Sequence, residues 1–163
     1  MRISAKGEYA IQAVLDLALH RERGLTAIQE IARRQAIPQR YLEQVLLALK
    51  RAGLLMSKRG SAGGYQLTRP PEDITVGDVL RAVEGTDAPF EAQRRRGRST
   101  GERHDLAELW DEVSNAVSKV VDQLTFGDLA VRAIARRSHC DGLANAAAGA
   151  GDKEGLAAKG FAA

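Results

Sequence analysis

The chain has 163 residues, which suits one domain with appendages and a real buried core. Three Phe, three Tyr and one Trp among abundant Ala, Leu and Arg favour helices packed by aliphatic side chains, and the single cysteine, Cys140, excludes an internal disulfide. The charge is uneven, with 11 Lys/Arg against 5 Asp/Glu in residues 1–65 and 13 against 16 in residues 66–163, which points the N-terminal half toward phosphates.

No apolar run approaches the ~20 residues that span a bilayer, and the N-terminus lacks the apolar core of a signal peptide, so a cytoplasmic protein with no membrane partner is expected. Residues 6–21 place Tyr9, Ala10, Ala13, Val14, Leu17 and Ala18 on one helical face, with Ser4 as N-cap and Gly24 as stop. Thr26 offers the N-cap of a second helix, Ala27–Arg34, with Gln29 at the capping-box position. A brief turn, Gln35-Ala36-Ile37, leads to Pro38 at the first position of a third helix, Pro38–Ala52, which buries Leu42, Val45, Leu46 and Leu49 and ends at Gly53. Two short helices joined by a tight turn form a helix-turn-helix. On its second helix Gln39, Arg40, Tyr41 and Gln44 occupy the exposed N-terminal end, with chemistry suited to adenine edges, guanine edges and backbone phosphate.

Behind it, Leu54–Met56 and Tyr65–Leu67 can pair as two brief strands around Gly60, Gly63 and Gly64, which are expected to accept positive φ. Lys58 and Arg59 then sit at the tip of a small wing, suited to the negative potential of a narrow minor groove. Thr75 caps a short helix, Val76–Glu84. Residues 85–105 lose periodicity; their basic run, Gln93 to Arg98, reads as a solvated loop or as an accessory phosphate contact.

Leu106–Gln123 resumes a helical period, and Leu109, Trp110, Val113, Val117, Val120 and Val121 make a broad apolar stripe. The stripe is covered either by its own copy in a second subunit, giving a two-fold dimer, or by the same chain. Thr125 caps a last helix, Phe126–Arg137, and the Ala/Gly tract of residues 138–163 reads as a flexible tail. The expected organisation is thus mainly α. A winged helix-turn-helix domain spans residues 1–84, a loop 85–105, a long dimerisation helix and a last helix 106–137, and a tail 138–163.

Met1–Ala18 (opening Met-Arg-Ile-Ser-Ala-Lys-Gly-Glu-Tyr-Ala), Tyr41-Leu42-Glu43-Gln44, Arg59-Gly60, Gly63-Gly64-Tyr65, Ile74-Thr75-Val76-Gly77-Asp78-Val79, Leu109-Trp110 and Leu124-Thr125-Phe126-Gly127-Asp128-Leu129 follow one another in order. Together they resemble the bacterial IscR/NsrR/CymR-type winged-helix repressors over about residues 1–135. The resemblance implies homodimers that cross their long helices on double-stranded promoter DNA. It also implies recognition-helix contacts at Arg40, Tyr41 and Gln44 and wing contacts at Arg59 and Ser61.

Iron–sulfur members of that family carry three cysteines before the long helix, whereas residues 85–105 contain none. His104 falls near the third ligand position and Glu8 is a carboxylate candidate, but neither replaces the missing thiolates. The expectation is therefore a cluster-free regulator with no metal site or other cofactor, governing sulfur, cysteine or iron–sulfur metabolism. Two alternatives stand beside it: an interaction module docking a metabolic enzyme, and a redox-sensing regulator using Cys140, whose neighbours Arg136, Arg137 and His139 would favour the thiolate. No nucleophile–base pair or phosphate loop is present, so the chain is not expected to be an enzyme.

Overall fold

In the computed structural model, which describes residues 3–60, 62–85 and 104–137, Ser4 opens the first helix, α1 (Ala5–Leu19). Its hydroxyl accepts from Gly7 N at 3.1 Å and donates to Glu84 Oε1 at 2.6 Å, so the cap also ties the start of α1 to a helix eighty residues on. One face of α1 buries Ala10, Ala13, Val14 and Leu17. The same face buries Asp16, a charge that apolar periodicity does not reveal.

The helix-turn-helix is α2 (Ile28–Gln35) followed by α3 (Gln39–Arg51). Thr26 does not cap α2: Ala27 occupies the N-cap and no side chain bonds the helix start. Instead the Thr26 N–H and C=O exchange hydrogen bonds with the Tyr65 C=O and N–H, both at 2.9 Å, forming an isolated antiparallel bridge. Pro38 likewise stands one position earlier than expected, as the N-cap of α3. The turn between the helices passes through Ala36 in the left-handed region, φ 53° and ψ 36°.

The wing consists of β1 (Leu55–Lys58) and β2 (Gly64–Leu67), antiparallel with Leu55 opposite Leu67 and Lys58 opposite Gly64. Of the three glycines expected at positive φ, only Gly60 adopts it, at 114°. Gly63 and Gly64 are needed for a different reason. A Cβ on Gly63 would run into the Lys58 carbonyl, and one on Gly64 into the Thr26 carbonyl, so both positions serve close backbone approach.

After a 3₁₀ turn at Pro71–Asp73, α4 (Val76–Glu84) begins with the expected Thr75 cap, here a full capping box with Asp78. The long helix, α5 (His104–Gln123), is joined to α4 by Arg81 Nη2 donating to Asp122 Oδ1 at 2.7 Å. Val76 N donates to Leu124 O and Phe126 N to Ile74 O, each at 2.9 Å, making a second isolated bridge between Thr75 and Thr125. Thr125, with Asp128, caps a helix over residues 126–137, α6, and Phe126 at its start is fully buried as part of the hydrophobic core.

Of two compact units, the first runs from Met1 to Ala130; in the second, the described residues 131–137 are helical. The basic run at 93–98, Ser61, Cys140 and the expected tail lie outside the described residues. Among the described residues no helix is long and apolar enough to cross a membrane.

Candidate nucleic-acid interface

Helix α3 sorts its side chains by period. Leu42, Val45, Leu46 and Leu49 enter the core, which leaves Gln39, Arg40, Tyr41, Glu43, Gln44, Leu47 and Lys50 exposed. All four candidate reading residues of α3 therefore stand on the outward side of one helix. Gln39 Nε2 donates to Glu43 Oε1 at 3.1 Å, one helical turn on. The Arg40 guanidinium lies 5.2 Å from the centroid of the Tyr41 ring, a cation–π distance, with Nη2 3.4 Å from the phenol oxygen. These are exposed contacts that a nucleic acid can replace at little cost.

The wing stands beside the C-terminal half of this helix. Lys58 ends β1 and Arg59 follows it, both exposed and neither in an ion pair with a described residue. Two links hold the hairpin: the Thr26–Tyr65 bridge at its root, and Lys50 Nζ donating to Ser57 Oγ at 2.7 Å. Between α2, α3 and the wing lies an open cleft of about 440 Å³ whose lining includes Gln29, Leu47, Lys50, Ser57, Lys58 and Arg59. It brings three cations to one place. Lys50 was not singled out from the sequence; its position on the outward face of α3, ten residues after Arg40, is the signal that could have found it. A second cleft, of about 430 Å³, is lined by Lys6 and Tyr9 of α1 and by Tyr41 and Gln44 of α3.

Behind the interface, Asp16 fixes α2 against α1. Arg34 grips it from Nε and Nη2, Gln35 Nε2 donates to Oδ1 at 2.9 Å, and His20 Nδ1 lies 2.8 Å from the Asp16 carbonyl. The hydrogen bond to Asp16 raises the Arg34 pKa against the opposing effect of burial, and the carboxylate's charge adds to the rise. The cation is thus permanent.

The apolar stripe of α5 divides. Val117 and Val121 are half-buried against the chain's own core. Leu109, Val113 and Val120 are 49%, 41% and 62% exposed. The side chain of Trp110 lies outside the described residues, as does that of His104. Among the described residues no group of three or more His, Cys, Asp or Glu is placed to hold a metal ion.

A family model described as "Rrf2: Iron-dependent Transcriptional regulator" matches residues 3–132. The chain is 37% identical over 131 residues to the HTH-type transcriptional regulator IscR of Aliivibrio salmonicida, covering 80% of this chain and 78% of that protein. It is 38% identical over 130 residues to the HTH-type transcriptional regulator CymR of Bacillus subtilis, covering 80% of this chain and 90% of that one. The solved structure of CymR, the global cysteine regulator of B. subtilis, superposes with a TM-score of 0.69 at 35% identity, over 81% of this chain and 98% of the other.

Proposed function

The chain belongs to the Rrf2 family of transcriptional regulators, and from that premise we propose that it acts as a homodimer that binds promoter DNA sequence-specifically and represses by occluding it. One observation carries this reading: α3 exposes Gln39, Arg40, Tyr41 and Gln44 in its N-terminal half, and beside its C-terminal half stands a wing that carries Lys58 and Arg59. Phosphate contacts from the cations supply most of the affinity and its salt dependence, while the α3 side chains supply discrimination between bases. The dimer rests on Leu109, Val113 and Val120, apolar side chains on α5 that the chain's own core leaves exposed. Regulation of cysteine or other sulfur metabolism is suggested by the CymR relative, and the cytoplasm is where such a regulator meets its promoters.

An iron–sulfur cluster does not fit this chain. Its only cysteine is Cys140, whereas such clusters are held by several thiolates. We therefore place it on the cluster-free side of its family.

The experiment is a selection of duplexes from a random pool with purified full-length protein, followed by anisotropy titrations over a salt series and light scattering for mass. Dimer-sized protein whose affinity falls steeply with salt is the expected result. Affinity insensitive to salt would favour docking to another protein instead, and a monomer would remove the dimer.

A further inference from the structure

Leu47 is 46% exposed on α3 and is absent from the apolar side chains that pack against the core. Apart from Tyr41, every other exposed side chain of this helix is polar or charged. Its neighbours on the same face are Glu43 and Gln44 one turn before it and Lys50 nearly one turn after. Leu47 therefore stands on the same outward side of α3 as Arg40 and Gln44, one apolar side chain among the polar candidates for base contact.

We infer that Leu47 reads the 5-methyl group of a thymine and so is a specificity-determining residue of each half-site. The inference rests on the DNA-binding reading above and deepens it. The floor of the major groove is a pattern of hydrogen-bond donors and acceptors in which the thymine methyl is the apolar feature. Against that methyl, Leu47 excludes water at no polar cost. Against the amino group of cytosine or the carbonyl of guanine, it would bury a polar group without a partner, which is unfavourable. Leucine at this position thus selects by attraction and by rejection. Leu47 also lines the cleft shared with Ser57, Lys58 and Tyr65 of the wing.

Replacing each thymine of the selected duplex, one at a time, by deoxyuridine removes a single methyl group and leaves pairing intact. The wild-type protein is expected to lose about fourfold in affinity at one position per half-site, the worth of burying one methyl. Leu47→Ala is expected to bind the thymine and uracil forms of that position equally, whereas Leu47→Met keeps the sensitivity. A wild-type protein indifferent to every uracil, or a Leu47→Ala protein with the same loss as wild type, overturns the inference while leaving DNA binding intact. If no duplex is enriched at all, the DNA-binding reading falls and this inference with it.

Discussion

Asp16 is fully buried, and Arg34, eighteen residues on, closes on it with Nε 2.9 Å from Oδ1 and Nη2 2.7 Å from Oδ2. The pair ties α2 to α1 and, through α2, bears on the placement of α3. Removing the carboxylate leaves a guanidinium that is one-fifth exposed and recovers only part of its hydration. Asp16→Ala is expected to cost about 3 kcal/mol of stability, the low end for breaking a buried pair, measured by urea unfolding. Asp16→Asn, which keeps a partner for Arg34 but not the charge, should cost less.

Ala36 holds the left-handed turn of the helix-turn-helix at φ 53°, a conformation that crowds its Cβ. Ala36→Gly relieves that crowding, although it also frees the unfolded chain. The balance favours the variant by about 0.5–1 kcal/mol, readable as a raised urea midpoint at unchanged slope.

Lys50 is expected to meet a phosphate at the rim of the groove. Lys50→Gln should reduce the slope of log affinity against log salt by about one and weaken all sequences alike. An anisotropy series on the selected and a scrambled duplex measures both effects.

Arg59 stands at the wing tip, where narrow minor grooves attract guanidinium groups. Arg59→Ala should lose about tenfold on duplexes with A/T-rich flanks, the worth of a charge-assisted hydrogen bond, and less where the flanks are G/C-rich. Unchanged affinity in a gel-shift titration would remove the wing from the interface.

Val113 is 41% exposed on α5. A glutamate there would bury an unpaired charge in the proposed subunit contact. Val113→Glu should raise the dimer Kd roughly a hundredfold in sedimentation equilibrium and leave the far-ultraviolet circular dichroism unchanged.

What was legible in the chain was what depends on neighbours in sequence. Ser4, Thr75 and Thr125 act as caps because a cap bonds an amide two or three residues away. The buried and exposed sides of α3 follow from its period alone. What escaped depends on partners far along the chain. Thr26 has the chemistry of a cap, but its backbone is engaged by Tyr65. Asp16 interrupts an apolar face for reasons found only in Arg34 and Gln35. Gly63 and Gly64 suggested a tight reversal, yet what they answer to is the carbonyls of Lys58 and Thr26. Phe126 reads only as the first residue of a last helix, and its place in the core shows in the folded chain alone. At the candidate interface the α3 residues were visible by position, whereas Lys50 gains its meaning from Ser57, seven residues away on another element.

The Thr26–Tyr65 bridge bears on how tightly a duplex can be held. A two-stranded hairpin alone is barely stable in water, and a flap that must settle as its target arrives subtracts the loss of its own freedom from the grip it adds. Rooted in the strand-like residue before α2, with no Cβ on Gly64 to push the two backbones apart, this hairpin has its base fixed by backbone hydrogen bonds. Docking therefore freezes no fresh backbone at its base.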